Sequence, residues 1–121
     1  MDSVSDRTSD GAIASALANA VVQVTRDYTG RGPTKARASV HNDTVVVVMQ
    51  DTLTKGERSL VESGKTSMVL DMRRCYQIVM KDDLIERVEE LTGRNVVAFM
   101  GDNHIEPDMA VQVFILQPLA A

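Results

Sequence analysis

Four potential metal ligands occur at every second position of a polar segment that runs from Gly101 to Asp108. They are Asp102, His104, Glu106 and Asp108. Carboxylates combined with imidazole suit Zn²⁺, Mn²⁺ or Fe²⁺, whereas carboxylates alone suit Mg²⁺ or Ca²⁺. One hypothesis is therefore a divalent-metal site formed by Asp102, His104 and Glu106. The segment has neither EF-hand spacing nor a His-Glu-x-x-His pair, and the simpler interpretation is a polar turn whose Asp and Asn side chains cap nearby amides.

The segment from Gly30 to Arg37 combines two glycines with three cations. Glycines let successive backbone amides turn toward one point, and such a nest beside basic side chains can hold bicarbonate or phosphate. The segment is not a Walker loop, because the Gly-Lys-Ser/Thr ending is absent. The alternative is a helix stop followed by an exposed strand with basic outward side chains. The predicted anion-binding residues are Gly30, Arg31, Gly32, Lys35 and Arg37.

The remaining reactive side chains predict no catalytic residue. Arg73 and Arg74 are expected on the solvated flank of a helix, near Asp71 and Gln77. Cys75 falls on the predicted apolar stripe of that helix, where a buried, unreactive thiol is expected. The two histidines, His41 and His104, are expected to form hydrogen bonds at strand ends, although His41 would join the metal site if two hairpin ends met. The chain has no recognisable Ser-His-Asp set.

Hydrophobic periodicity predicts seven elements in the order α-β-β-α-α-β-β. Because hairpins make antiparallel pairs, the expected class is α+β, with a four-stranded sheet and helices packed on one face. One helix start and one turn have specific signals: Thr54 and Glu57 have capping-box spacing, and Asn42-Asp43 suits a tight hairpin turn. The predicted elements are a helix Ala12–Tyr28, strands Lys35–His41 and Thr44–Gln50, a helix from Thr54 to near Gly64, a helix from Thr66 or Ser67 to Gly93, and strands Asn95–Met100 and Met109–Leu116.

Apolar patterning predicts which faces are covered. The run Val45–Val48 is continuous, which favours a strand inside the sheet with both faces covered. A homodimer would cover the second face of so small a chain. The long helix exceeds what one small sheet needs, and its predicted core stripe is Met68, Met72, Cys75, Tyr76, Val79, Leu84, Val88 and Leu91.

Length and composition bound the class of protein. The 121 residues suggest one domain, from residue 11 to residue 118. A flexible tail of residues 1–10 precedes it and a short tail of residues 119–121 follows it. Ser9 or Asp10 would cap the first helix. A net charge of −4 disfavours nucleic acid as a partner. The absence of an apolar run of about 18–20 residues argues against membrane insertion, and a cytoplasmic location is expected.

Four segments resemble the MpsC domain family and cover the chain from about Gly11 to Pro118. They are Gly-Arg-Gly-Pro-Thr-Lys-Ala-Arg (30–37), Leu-Thr-Lys-Gly-Glu-Arg-Ser-Leu-Val (53–61), Glu-Leu-Thr-Gly-Arg (90–94) and Phe-Met-Gly-Asp-Asn-His-Ile-Glu-Pro-Asp (99–108). The resemblance implies an accessory factor of a sodium-translocating or bicarbonate transport system, peripheral to a membrane complex and with a membrane transporter as partner. No catalytic residue comes with it.

Two functions follow as hypotheses. The first is a non-enzymatic module, dimeric, that binds a small anion or a protein. The alternative is a metal-dependent hydratase or hydrolase that uses the Asp102–Asp108 loop, with a divalent metal as its cofactor.

Overall fold

The chain folds as a four-stranded antiparallel sheet with three helices, an α+β fold in the predicted order. The computed structural model describes residues 3–119, with side chains from Gly11 onward. Helices are α1 (Ser3–Thr29), α2 (Lys55–Glu62) and α3 (Thr66–Thr92), and strands are β1 (Lys35–His41), β2 (Thr44–Gln50), β3 (Val96–His104) and β4 (Met109–Leu116).

The sheet order is β1-β2-β4-β3, so the two hairpins join through their second strands. The β2–β4 register sets Val48 opposite Val111 and Val46 opposite Val113. The predicted interior position of β2 is therefore confirmed. Both valine-rich strands lie at the centre, where β-branched side chains pack well on a pleated surface.

One face of the sheet packs against α1 and α3 and forms the core. Inward residues of β2 and β4 alternate strictly with outward ones, as a strand with one packed face requires. Phe99 and Phe114 stack across β3 and β4 with ring centroids 5.1 Å apart. The core residues are Leu17, Val21, Val24, Val45, Val47, Met49, Met80, Leu84, Val88, Ala110, Phe114 and Leu116.

The other face of the sheet carries no described helix, and we call it the open face. Its centre is apolar, and its side chains are half-buried or exposed rather than buried. The valine run predicted that both faces of β2 are covered. Within the described residues, only the face toward α1 and α3 is covered. The open face comprises Lys35, Arg37, Ser39 and His41 of β1, Thr44, Val46, Val48 and Gln50 of β2, Met109, Val111, Val113 and Ile115 of β4, and Ala98, Met100, Asp102 and His104 of β3.

The local signals for turns and helix starts are confirmed. Asn42 adopts a positive φ of 53° in the tight turn between β1 and β2. The Thr54 hydroxyl accepts from the Glu57 amide at 3.1 Å, and the Glu57 carboxylate accepts from the Thr54 amide at 2.8 Å. This is the predicted capping box.

Two boundaries differ from the prediction. Helix α1 begins at Ser3, so Ser9 or Asp10 is not its N-cap; Met1 and Asp2, like Ala120 and Ala121, lie outside the described residues. Strand β3 runs on through Gly101 to His104, because β4 offers partners up to Met109. Pairing with a long neighbour overrides the polar, glycine-containing pattern that predicted a loop.

The predicted core stripe of α3 is wrong at Met68, Cys75 and Val79, whereas Tyr76 packs against the core as predicted. The residues of α3 that face the core are Val69, Arg73, Met80, Leu84 and Val88. Met68 is 56% exposed and Val79 is 61% exposed, and Cys75 is exposed. The observed buried stripe includes the charged Arg73. A search for apolar periodicity therefore passes over this stripe and selects the neighbouring apolar residues instead.

The thiol of Cys75 is therefore predicted to react in the folded protein. A maleimide added to native protein should label one equivalent per chain at a rate close to that of a free thiol, because the side chain is exposed and unpaired by any disulfide. Mass spectrometry with and without denaturant measures this. Labelling that required denaturant would contradict the described orientation of α3.

Candidate functional site

Two backbone amides of the predicted anion nest, those of Gly30 and Arg31, donate to groups within the chain. The Gly30 amide donates to the Arg26 carbonyl at 2.9 Å, and the Arg31 amide donates to the Thr29 hydroxyl at 3.3 Å. The Arg31 guanidinium forms an ion pair with Asp51 at 2.9 Å. These contacts explain the segment as a helix stop.

Gly32 lies close to a side chain of α1. A Cβ at this position would lie 2.6 Å from Nη2 of Arg26, so a larger residue would displace the end of that exposed, flexible side chain. This approach alone does not require a glycine.

Lys35 and Arg37, the other two predicted cations, are not engaged in ion pairs among the described side chains. They lie on the exposed side of β1, paired across the sheet with Gln50 and Val48. Among the described side chains, no carboxylate lies within ion-pair distance of either cation. Together they make one edge of the open face basic.

The predicted metal ligands are spread over a strand and a turn. Asp102 and His104 point outward from β3, whereas Glu106 lies in the turn that follows. The His104 ring donates from Nδ1 to the Pro107 carbonyl at 2.8 Å. Within residues 11–119, no group of three or more His, Cys, Asp and Glu side chains could hold a metal ion. The metal hypothesis therefore has no geometric support in the described part of the chain.

His41 does not approach this region. The register places it in the row of Thr44 and Ile115, at one end of the sheet, whereas His104 pairs with Met109 at the other end. The two hairpin ends that carry the histidines lie at opposite corners.

Asp108 supports the simpler interpretation, that of a capping residue. Its carboxylate accepts from the Thr52 amide, the Thr52 hydroxyl and the Leu53 amide, each at 3.0 Å, and from Arg58 at 3.4 Å. It thereby fixes the chain where β2 ends, as Asp side chains do in turns.

A buried ion pair lies next to Asp108, and the sequence interpretation missed it. Arg73 was expected on a solvated flank but is only 9% exposed, and its partner Glu57 is 4% exposed. The guanidinium donates to both Glu57 oxygens, at 2.9 and 2.6 Å, and also to the Thr52 hydroxyl and carbonyl at 3.0 and 2.7 Å. The neighbouring Arg74 is exposed and pairs with Asp71, as expected.

The available signal for this pair was the capping box itself. Glu57 sits at the third position of α2, where its carboxylate both closes the box and can accept a second donor. A charged residue on a core-facing helix position needs such a partner, because an unpaired buried charge is very costly.

The ion pair sets the ionisation of Glu57. Burial alone would raise the pKa of its carboxyl group, but hydrogen bonds from Arg73 and Thr54 and the charge of Arg73 outweigh burial. The pKa of Glu57 therefore lies below its ordinary value of 4.5. Glu57 is ionised at neutral pH, and its charge is used for structure.

A second pairing links α1 with α3. The Tyr28 hydroxyl donates to the Asp83 carboxylate. This hydrogen bond, and the nearby carboxylates of Asp82 and Asp27, raise the pKa of the Tyr28 phenol. The phenol thus holds the two helices together in its protonated form.

The open face brings members of both predicted sites onto one surface. Arg37 and Asp102 lie in a single row across the sheet, joined by Val48 and Val111. These four residues and His104 line a shallow depression on the open face. Its apolar floor and oppositely charged edges suit a broad partner surface better than an enclosed small ligand.

Within residues 3–119, none of the helices combines the length and apolar character needed to cross a lipid bilayer. The fold and surface together define a two-layer α+β protein with one packed and one open sheet face.

Comparison with known proteins identifies the family. The sequence model of MpsC, described as the Na⁺-translocating membrane potential-generating system, matches residues 9–118. The chain belongs to the MpsC family. No curated protein and no solved structure matches it.

Replacing Glu57 by Gln is predicted to lower the free energy of unfolding by about 3–5 kcal/mol, because it leaves the Arg73 charge buried without its counterion. Glutamine still permits the capping box, so the loss reports the charge. Urea unfolding monitored by circular dichroism measures it, with the exposed Glu62→Gln on the same helix as control.

The difference between wild type and Glu57→Gln should also depend on pH. A carboxylate with a lowered pKa stabilises the folded state fully above its ordinary value of 4.5, and this contribution is lost as the pH falls through the lowered pKa. The two unfolding curves should therefore converge in acid. A difference that stayed constant down to acid pH, or none at neutral pH, would contradict the role assigned to the pair.

Proposed function

We propose that this chain is a non-enzymatic protein-binding module that acts as an accessory factor of a sodium-translocating membrane-potential-generating system. Family membership supports the association with such a system. The open face supports binding through a surface: its central side chains Val46, Val48, Val111 and Val113 are apolar yet not buried. This partly exposed apolar centre between charged edges is the observation that carries the proposal.

The electrostatics support a binding role over a catalytic one. Glu57 and Asp108 are engaged in structural contacts with Arg73 and Thr52. Asp51 is shared between Arg31 and Arg58. Each of these carboxylates stabilises a junction between elements and is therefore a poor choice for a general acid or base, which must exchange its proton with a substrate.

A charge placed at the centre of the open face is predicted to abolish function and preserve the fold. Cells that lack this chain would be complemented with wild type or with Val111→Glu, and sodium-dependent membrane potential would be followed with a potential-sensitive dye. We expect wild type to restore the potential and the variant to fail, because a carboxylate in an apolar interface must be desolvated without a partner.

Val79→Glu is the matched control, since it makes the same change at an exposed valine on α3. Circular dichroism of both variants checks the fold. Full activity of Val111→Glu, or loss of activity in Val79→Glu alone, would refute the open face as the functional surface.

A second candidate function, small-anion binding, is supported by the open pair Lys35 and Arg37. Isothermal calorimetry with bicarbonate and with phosphate tests it. We expect Lys35→Ala with Arg37→Ala to lose the binding heat, and Arg31→Ala to retain it because Arg31 is neutralised by Asp51. Absence of heat with wild type would remove this candidate.

A further inference from the structure

We propose that the open face pairs with the open face of a second copy of this chain, about a two-fold axis parallel to the strands. This inference names the partner of the surface in the proposed function and rests on that proposal. The face has three properties that together favour a second copy: exposed apolar area, charge at both edges, and a row pattern that is complementary to itself.

The apolar area lies on the two central strands. Val46 and Val48 of β2 pair with Val113 and Val111 of β4. All four are half-buried, and Met100 beside them is 53% exposed. Sheets that pack face to face bury such rows about 10 Å apart.

The charges lie on opposite edges of the face. Arg37 of β1 occupies the basic edge, and Asp102 of β3 occupies the edge three strands away. Neighbouring strands are about 4.8 Å apart, so the backbones at these two positions are separated by roughly 14 Å. Consistent with this distance, the two side chains form no ion pair within the chain.

The register decides how a second copy would meet this face. Arg37, Val48, Val111 and Asp102 form one row across the sheet. A two-fold axis parallel to the strands keeps each row opposite itself and reverses the strand order. It therefore sets Arg37 of each copy opposite Asp102 of the other, and Val48 opposite Val111, in an isologous interface.

The alternative in-plane axis is disfavoured. An axis perpendicular to the strands keeps the strand order and reverses the rows, so Arg37 would lie opposite Ser39 and Asp102 opposite Met100. Neither charge would then meet an opposite charge, and like charges would share an edge, which suppresses association. Aligned sheets cross at about 30°, which shifts the edge positions by about one residue, and an arginine side chain spans that shift.

The size of the face predicts a modest affinity. Four strands about 4.8 Å apart and seven residues with a rise of about 3.3 Å give a plan area of roughly 440 Å². A standard interface buries about 800 Å² per partner. We therefore expect a reversible dimer that dissociates in the micromolar range.

A charge exchange between copies tests the pairing. Arg37→Asp and Asp102→Arg would be studied singly and as an equimolar mixture by sedimentation equilibrium over a micromolar to millimolar series. Each single variant sets two like-charged pairs in its own dimer, so we expect a dissociation constant raised about tenfold or more. In the mixture, each chain supplies the charge that the other lost, and dimers should re-form with near wild-type affinity.

The controls are exposed residues of the same types outside the open face. Arg74→Asp and Asp71→Arg change the net charge equally, and both side chains are exposed on α3. Neither should alter the dissociation constant. Circular dichroism of every variant checks that the fold is retained.

The outcomes separate this inference from the proposed function. A wild type that stays monomeric, single variants that dimerise normally, or a mixture that is not rescued would overturn the two-fold pairing. In that case Val111→Glu could still abolish the membrane potential, and the open face would bind another protein. Conversely, rescued dimers with a fully active Val111→Glu would keep the pairing and refute the proposed function.

Discussion

The antiparallel pairing of β2 with β4 is the constraint on which the rest of the molecule depends. It joins the two hairpins into one sheet and fixes the rows across it. Because side chains alternate along a strand, the valines that enter the core force their neighbours onto the other face. Because α1 and α3 both cover the same side of the sheet, the remaining valines of β2 face the other side. They make the open face apolar at its centre.

The buried pair of Arg73 and Glu57 lies at one end of the sheet, on the side that α3 covers. It ties α3 to the start of α2, and through Thr52 it reaches the carboxylate of Asp108. Asp108, the last residue of the predicted metal segment, thereby fixes the end of β2. An ionic cluster of this kind contributes to a defined arrangement only while each charge keeps its partner.

The chain belongs to the MpsC family, described as the Na⁺-translocating membrane potential-generating system, and the surface that we propose for binding is the open face of its sheet. The basic segment lines a depression together with Val48 and Gln50 of β2, and the end of the acidic segment lines another together with residues of α2. Their open members, Arg37 and Asp102, lie at the two edges of a single surface. The sequence interpretation treated them as two separate sites, and the register makes them two ends of one row.

The sequence by itself determined the element order, the α+β class, the Asn42 turn and the capping box of Thr54 and Glu57, because these depend on local periodicity and on hydrogen bonds between near neighbours. Only the tertiary structure decided that Arg73 is buried, that Cys75 is exposed and that β3 extends to His104. Each of these depends on a partner far away in the chain: a carboxylate on another helix, a helix face chosen by packing, or a neighbouring strand long enough to pair. Local patterns carry no information on such partners, and for that reason the sequence could not show that Arg37 and Asp102 share one row of the sheet.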